Sequence, residues 1–148
     1  MAIPLKIAPV TATLTDVDAL RKEASDEGFR FIERLYQDWH SNSNRFDKSG
    51  ECLLVAWSDA GLVGIGGLNR DPYTASRTTG RLRHLYVRNS MRRNGVASAL
   101  LKELLAKARG VFGVVRLRTD TPEAARFYLS QGFRPVSDDS ASHAMNFD

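Results

Sequence analysis

The segment of this chain that most directly suggests chemistry is residues 87–97, which read VRNSMRRNGVA and lead into a helical pattern. The start of a helix presents unpaired N–H groups and the positive end of the helix dipole. A glycine there lets the backbone approach a ligand closely, and arginines at the rim add positive charge. The segment therefore predicts an anion-binding loop, whose candidate binding residues are Arg92, Arg93, Asn94, Gly95, Val96 and Ala97.

Two phosphate-binding sequence patterns are absent from the loop, and their absence limits which anions it is expected to bind. It is not followed by the Gly-Lys-Ser/Thr sequence of a nucleotide-hydrolase phosphate loop, and it lacks the glycine triplet of a dinucleotide-binding fold. These absences favour a pyrophosphate held without magnesium ligands. Cys52 is the single cysteine and the three histidines are scattered, so no disulfide, zinc site or other structural metal is expected.

A second segment, residues 124–133, reads AARFYLSQGF. Together the two segments resemble the GNAT superfamily of N-acetyltransferases. Arg92, Gly95 and Ala97 match the family's pyrophosphate loop, Arg/Gln-x-x-Gly-x-Gly/Ala, which follows a strand ending in valine. The second segment matches the family helix Ala-x-x-Phe-Tyr-x-x-x-Gly-Phe, and the two motifs occur in the family's order.

The resemblance implies a transferase that moves an acetyl group from acetyl-CoA, its cosubstrate, directly to an amine of a small molecule or peptide. The pantetheine arm is expected to pair with the backbone of Leu85, Tyr86 and Val87, and the adenosine diphosphate end to reach residues 92–97. Thr121 stands where the family has an asparagine at the start of the second motif's helix, and it is a further candidate for coenzyme contact. No metal is implied. Cys52 lies in an apolar segment, which favours a core position over the role of nucleophile.

Direct transfer needs two proton-transfer roles, because the acceptor amine must lose a proton and the departing thiolate must gain one. The resemblance assigns the acid role to Tyr128. The family's glutamate base, four or six residues before the last valine of the strand, is replaced here by Arg83 and Arg81. His84, whose ordinary pKa is near 6.5, is the candidate base in its place. Two carboxylates that could act through water remain as alternatives, Glu33 and Asp71.

Each candidate residue also has a purely structural interpretation. Gly95 and Ala97 fit a plain helix start and its packing. Tyr128 follows Ala124 by one helical turn and fits an ordinary core aromatic. His84 fits an ordinary strand residue. At the level of the sequence both interpretations stay open.

Positive charge is concentrated in residues 70–93, where seven arginines accompany one acid, Asp71, an excess of six against a net charge of +4 for the whole chain. Such a block is typical of proteins that bind the phosphate of nucleic acid, nucleotide or coenzyme. A basic nucleic-acid-binding module is therefore one alternative function. A catalytically silent acetyl-CoA sensor is another, because the strand glutamate is missing. In the family the first two helices and the loop after the third strand select the acceptor. The candidate residues there include one acid, and Arg70 and Arg77 would suit a carboxylate-bearing or otherwise anionic amine; the candidates are Tyr36, Trp39, His40, Asn69, Asp71 and Tyr73.

Hydrophobic periodicity and turn residues place these motifs in an α/β fold. The order β α α β β β α β α β β predicts a GNAT-like mixed central sheet of six or seven strands flanked by four helices, in a single domain over residues 1–148. The predicted strands are residues 3–11, 51–58, 62–69, 81–87, 114–118, 133–137 and 143–147, and the unit from residue 81 to residue 118 predicts a parallel crossover. The predicted helices are residues 31–40, residues 96–108 before a stop at Gly110, one from a cap at Thr15 or Asp16 to Glu27, and one from Thr121 to Gly132.

The longest unbroken apolar run, residues 52–57, is far shorter than the roughly 20 residues of a membrane helix. The N-terminal residues do not have the pattern of a signal peptide. A soluble cytoplasmic protein without a membrane partner is therefore expected. Its oligomeric state stays open, a homodimer included.

Overall fold

The computed structural model of the protein describes residues 4–10, 17–59 and 61–147. Within these residues seven strands form one mixed sheet in the order β1-β2-β3-β4-β5-β7-β6. The strands are β1 (Lys6–Pro9), β2 (Cys52–Ser58), β3 (Gly61–Arg70), β4 (Thr79–Val87), β5 (Val114–Leu117), β6 (Arg134–Asp138) and β7 (Ala141–Asn146). The helices are α1 (Asp18–Asp26), α2 (Phe31–His40), α3 (Val96–Ala108) and α4 (Pro122–Ser130), with a 3-10 turn at Asn89–Met91 before α3.

The predicted α/β architecture and element order are confirmed, and so is the parallel pairing of β4 with β5. Helices α2 and α3 span the predicted residues. The other ends differ by a few residues, because backbone pairing across the sheet, rather than side-chain periodicity, decides where a strand stops. Strand β4, for example, begins at Thr79, since Thr79 and Gly80 already pair with β5. The predicted caps of α1, Thr15 and Asp16, lie outside the described residues.

The sheet separates two apolar cores. Helix α3 covers one face and buries the predicted stripe of Val96, Leu100, Leu104 and Ala108. Helices α1 and α2 cover the opposite face, and successive residues of β2 alternate between the two cores, as a strand buried on both faces requires. The most buried members of this second core include Leu20, Ile32, Leu35, Leu53 and Ile65.

Glycines on β3 allow α3 to lie close to the sheet. A Cβ added at Gly64 would lie 3.0 Å from Cδ1 of Leu100, and one added at Gly66 would lie 2.9 Å from Cδ1 of Leu104. Larger residues at these positions would overpack the core and displace α3. The two glycines therefore determine how closely α3 packs against the sheet.

Strands β4 and β5 pair over three residues and then separate. The paired residues are Thr79 with Val114, Gly80 with Val115, and Arg81 with Arg116. Beyond this point β4 continues from Leu82 to Val87 without a partner on the β5 side within the described chain. One edge of β4 therefore offers its backbone N–H and C=O groups to a gap inside the sheet.

A β-bulge bends β4 where it borders this gap. The pairing of β3 with β4 shifts between Ile65 and Gly67, so two residues of β4, His84 and Leu85, stand opposite one residue of β3. His84 takes the left-handed backbone conformation, with a φ of 61°, which is uncommon for a residue other than glycine. Bulges bend a strand and re-aim its side chains. The bend therefore changes the direction of β4 just after it leaves β5.

We expect Gly80→Ala to destabilise the fold at the base of the gap. A Cβ at this position would lie 2.6 Å from Cδ2 of the buried Phe112 ring. Overpacking of this kind costs about 1–3 kcal/mol and should lower the midpoint of urea unfolding. Gly110→Ala is the matched control, because a Cβ there has no heavy atom within 4 Å. Equal midpoints for the two variants would contradict the expectation.

Candidate functional site

The gap between β4 and β5 opens into a cavity of about 270 Å³, called here the central cavity. Its lining comes from both faces of the sheet. Phe31 and Arg34 belong to α2, whereas Ala124 and Tyr128 belong to α4, which packs into the core beneath α3. The remaining lining residues are Tyr73, Arg81, Leu82, Arg83, His84, Leu85, Leu117, Arg118 and Thr119. The central cavity therefore lies within the sheet and receives side chains from both of its faces.

A second cavity, of about 890 Å³, lies between the start of α3 and helix α4 and is called here the loop cavity. Six of the predicted binding residues line it, namely Val87, Arg92, Arg93, Gly95, Val96 and Ala97. Asn94 does not, because its side-chain amide donates to the carbonyls of Met91 and Arg92 and closes the turn. Helix α4 borders both cavities, so the two lie side by side along one helix.

The start of α3 leaves its backbone donors open to the loop cavity. Gly95 is the N-cap residue, with a φ of 80°, and no side chain caps the helix. A Cβ added at Gly95 would have no heavy atom within 4 Å, so the space in front of the helix start is empty of protein. Helix α4 differs, because the hydroxyl of Thr121 accepts the N–H of Ala124 at 3.2 Å. The residues at α3 therefore fit an anion such as a pyrophosphate, whereas the Thr121 hydroxyl is occupied as a cap.

The side chain of Arg92, a predicted binding residue, is already paired with other groups of the protein. Its guanidinium donates to both carboxylate oxygens of Glu27, at 2.8 and 2.7 Å, and its Nε donates to the carbonyl of Val87 at 3.1 Å. This pairing holds the pKa of Glu27 below its ordinary value. Arg92 therefore joins the loop to the end of α1, and its charge is neutralised within the protein.

A second acid on α1, Glu23, completes this connection. The Tyr86 hydroxyl lies 2.8 Å from Glu23 and 2.5 Å from Glu27, and the backbone N–H of Asn89 donates to Glu23 at 2.9 Å. Neither acid was predicted from the sequence as part of the site, although a spacing of four residues along a helical segment indicates that the two can act together. The side chain of Tyr86 therefore faces α1, which leaves its backbone as the part available for a ligand in the gap.

Tyr128, the predicted acid, is buried on α4 and lines the central cavity. Its ring packs edge-on against Phe127 and Phe133, with centroids 5.2 and 5.5 Å away. Its hydroxyl makes no hydrogen bond to any residue in the described part of the chain. Burial raises the pKa of Tyr128 above its ordinary value. The phenol therefore remains a neutral hydrogen-bond donor over the whole range in which proteins normally function.

His84, the predicted base, also lines the central cavity, but its basicity is low. The ring lies between Phe31 and Phe46, with centroids 6.5 and 5.8 Å away, and its buried Nδ1 has no hydrogen-bond partner among the described residues. Burial, together with the nearby charges of Arg83 and Arg34, lowers the pKa of His84 to about 3. The imidazole is therefore neutral at pH 7 and can accept a hydrogen bond, but it is a weak proton acceptor.

Neither alternative carboxylate reaches the cavities. Asp71 is fully buried, with Oδ2 lying 3.0 Å from Nε of Arg116 and 3.6 Å from Nη1 of Arg81. Glu33 is bound to Arg21, which lowers the pKa of Glu33, and the pair lies on the outer side of α2. Both acids are thus committed to cations of the protein.

The remaining candidate residues are placed as follows. Leu85 lines the central cavity and Val87 lines the loop cavity, so the free edge of β4 runs from one to the other. From Leu82 to Val87 this edge extends at most about 17 Å, at roughly 3.3 Å per residue. Arg70 and Arg77, which the sequence suggested for an anionic acceptor, line neither cavity, whereas Arg34, Arg81 and Arg83 line the central cavity.

Three further features of the described residues concern the cysteine, possible metal ligands and helix length. Cys52 is half-buried on β2, and burial raises the pKa of its thiol, as expected for a core cysteine. Across residues 4–10, 17–59 and 61–147 no three His, Cys, Asp or Glu side chains are grouped to hold a metal ion. In the same residues, no helix has the length and apolarity needed to cross a membrane.

Comparison with known proteins gives a consistent result. The profile of the acetyltransferase (GNAT) domain matches residues 49–135. Human N-acetyltransferase 8 is 37% identical to this chain in an 89-residue alignment that covers 57% of the chain. The chain spans 39% of the length of that protein.

Solved structures extend the similarity over nearly the whole chain. A protein predicted to be an acetyltransferase, from Exiguobacterium sp. 255-15, superposes with a TM-score of 0.87 at 28% identity, covering 97% of this chain and 94% of that one. Ard1 from Thermoplasma volcanium has a TM-score of 0.69 at 26% identity, with 95% and 93% covered. The yncA protein of Salmonella typhimurium, solved with acetyl-CoA, shares the fold with a TM-score of 0.71 at 15% identity, with 97% and 94% covered.

We expect the contribution of Glu27 to thermal stability to disappear in acid. Because the folded-state pKa of Glu27 lies below its ordinary 4.5, the Arg92 pair stabilises the folded chain above pH 4.5 and is lost as the pH falls through the lower value. The difference in melting temperature between the wild type and Glu27→Gln should be full at pH 7 and shrink below pH 4.5. Glu103→Gln, on the exposed side of α3, is the control and should differ little from the wild type at either pH. A Glu27→Gln difference that is unchanged in acid would contradict the pairing.

Proposed function

The chain belongs to the GNAT acetyltransferase family, and from this premise we propose that residues 1–148 act as an N-acetyltransferase that moves an acetyl group from acetyl-CoA directly to an amine. One observation carries the proposal. The free edge of β4 joins an uncapped helix start at the loop cavity to a neutral, buried tyrosine hydroxyl at the central cavity. Acetyl-CoA has an anionic end, an amide-bearing arm and a thioester in the same order.

The loop cavity would take the pyrophosphate. The first-turn N–H groups of α3 supply donors, Gly95 leaves them accessible, and Arg93 and Arg126 supply positive charge at the rim. Arg92 would act by holding the loop through Glu27 rather than by contacting the phosphate. Beyond the loop, the free edge of β4 can pair with the amides of an extended pantetheine arm, as a peptide pairs with an exposed sheet edge.

At the central cavity the hydroxyl of Tyr128 would donate a hydrogen bond to the departing sulfur. The phenol remains protonated because burial raises its pKa, so it can donate a hydrogen bond to the thiolate as the carbon–sulfur bond breaks. An ordinary thiol has a pKa of about 8.5, well below that of this phenol. Stabilisation of the developing thiolate by the hydrogen bond therefore comes before any complete transfer of the proton. The neutral amide groups of β4 can stabilise the oxyanion in the same step.

Loss of the amine's proton would depend on charge rather than on a carboxylate base. Arg81 and Arg83 occupy the positions of the family's glutamate and line the central cavity. Nearby cations disfavour an ammonium group and so lower the pKa of a bound amine. The neutral imidazole of His84 can accept a hydrogen bond from that amine, while the proton itself leaves to water. Activity should therefore rise with pH as the free amine becomes available.

Two other functions stay testable. An acetyl-CoA sensor would bind the coenzyme and release no thiol with any amine. A nucleic-acid-binding module is less well supported, because three arginines of the basic block are paired with acids, Arg81 with Asp71, Arg88 with Glu23 and Arg92 with Glu27. A thiol-release assay with acetyl-CoA and a panel of amines, amino acids and peptides separates these functions. A cytoplasmic location and a homodimer remain predictions.

We expect Gly95→Asp to weaken the binding of acetyl-CoA by well over tenfold in calorimetry. The new carboxylate would stand in the empty space before α3, where the pyrophosphate is proposed to bind, and would repel it. Gly61→Asp is the matched control, because Gly61 also has a positive φ and no heavy atom within 4 Å of an added Cβ, and it lies at the β2–β3 turn. The control carries the same backbone strain and charge. Equal affinities of the two folded variants would exclude this binding site.

We expect Tyr128→Phe to lower kcat by roughly 10²–10⁴-fold, the usual effect of a positioned proton donor, and to leave the affinity for acetyl-CoA nearly unchanged. Phenylalanine keeps the ring contacts with Phe127 and Phe133 and removes the hydroxyl. Since burial raises the pKa of Tyr128, wild-type kcat should show no alkaline decline from this group up to pH 10. Phe127→Leu is the control for altered packing. Wild-type kcat in Tyr128→Phe would assign Tyr128 to the core alone.

A further inference from the structure

Three arginines line the central cavity on the side that faces α2. Arg83 pairs with Gly67 on β3, and a Cβ on Gly67 would meet the ring of Phe46, which belongs to the core beneath α2. Residues paired across a sheet project to the same face, so Arg83 also faces α2, and Arg81 follows by alternation. Arg34 approaches from α2 itself. Tyr128 reaches the cavity from the opposite face, so these arginines lie on the side left for the acceptor.

The charges beside the central cavity, on the side that faces α2, are not balanced. Arg81 and Arg116 share Asp71, and Arg116 also lies 3.5 Å from Asp138, so these two cations meet two acids. Arg34 and Arg83 form no ion pair within the described part of the chain. They therefore leave an excess of two positive charges beside the cavity. Arg118, farther along the rim, is paired with Asp120 at 3.8 Å.

The arginine closest to the base of the gap is held in a fixed position. The side chain of Arg81 is 9% exposed, and its Nη1 is buried without a hydrogen-bond partner in the described residues. The ring of Tyr73 covers its guanidinium, with 4.6 Å between the ring centroid and Cζ. Nη1 faces Oδ2 of Asp71 at 3.6 Å, so the guanidinium is held between Asp71 and the ring of Tyr73. This fixed orientation of the Arg81 guanidinium reduces the entropy that is lost when a ligand binds to it.

We propose that the acceptor of this enzyme is a small amine carrying a compact oxyanion a few bonds from its nitrogen, with the oxyanion bound by Arg34, Arg81 and Arg83. The proposal rests on the proposed acetyltransferase function and names its substrate class. Guanidinium groups bind carboxylate and phosphate through paired hydrogen bonds, and such an anion relieves the repulsion among the three cations. The cavity holds about 270 Å³, a volume that can accommodate a free amino acid or an aminoalkyl phosphate.

The test compares amines that differ in the anion alone. Thiol release from saturating acetyl-CoA is measured with free α-amino acids against their carboxamides, and with 2-aminoethyl phosphate against ethanolamine. We expect the anionic member of at least one pair to have a kcat/KM at least tenfold higher, and the pair that responds identifies the oxyanion. The preference should decrease as salt is added, because it depends on charge. Anionic and neutral members within threefold of each other in both pairs would overturn the proposal.

Single substitutions of the arginines test which residues bind the oxyanion of the acceptor. Arg34→Gln should raise the KM for the anionic amine at least tenfold, leave the KM for its neutral partner within about twofold, and leave the Kd of acetyl-CoA unchanged. Arg83→Gln also removes charge that lowers the pKa of the bound amine, so it should affect both amines but raise the KM for the anionic one at least tenfold more than that for the neutral one. Arg77→Gln removes an exposed arginine of the same basic block outside the cavity and should change none of these values. Arg34 is exposed, so Arg34→Gln is expected to fold even if Arg83→Gln does not. Equal effects on both members of a pair would overturn the proposed site.

Failure of this proposal and failure of the proposed function give different results. If acetyl-CoA binds and neutral amines are acetylated as well as anionic ones, the oxyanion site is wrong and the transferase function stands. If no acetyl-CoA binds, both are wrong. If acetyl-CoA binds and no amine releases thiol, the same pairs are titrated into the coenzyme complex in a calorimeter. Tighter binding of the anionic member would then support the site in a silent sensor, and equal binding would overturn it.

Discussion

A single buried carboxylate fixes the place where the sheet opens. Asp71 is fully buried and lies between Arg81 and Arg116, which are the last residues of β4 and β5 to pair with each other. Its other oxygen accepts the N–H of Tyr73 and so shapes the turn after β3. Removing one partner of a buried ion pair typically costs about 3–5 kcal/mol. The gap between the strands, and the cavity within it, begin at this ionic contact.

The pairing at Asp71 also explains why the two strands can separate beyond it without loss of the fold. Strand β5 is held on its other side by β7, and β4 is held on its other side by β3, so each strand keeps one complete ladder. The bulge at His84 then turns β4 within the gap. Two opposed requirements are met in this way, since a stable sheet needs paired edges and a binding cleft needs an unpaired one.

Local patterns predicted most of the fold and part of the candidate site. The stripe from Val96 to Ala108 and the loop around Gly95 were readable because periodicity and turn chemistry act within a few residues. Contacts between distant segments were not readable. Glu27 and Arg92 are 65 residues apart in sequence, so nothing local showed that Arg92 was already paired. The low pKa of His84 likewise follows from burial among Phe31 and Phe46, which its own strand does not reveal. The position of Arg34 depended on the packing of α2 against β4.

The two-sided lining of the central cavity bears on how such a protein can diversify. Substitutions on the part of α2 that includes Arg34 would alter the proposed acceptor side of the central cavity while leaving the loop before α3 unchanged. Helix α1 has no such freedom, because Glu23 and Glu27 hold that loop in place. Under the proposed function, the two neighbouring helices on one face would therefore accumulate substitutions at different rates, because changes on α2 could alter the choice of acceptor whereas changes on α1 would release the loop that Glu23 and Glu27 hold.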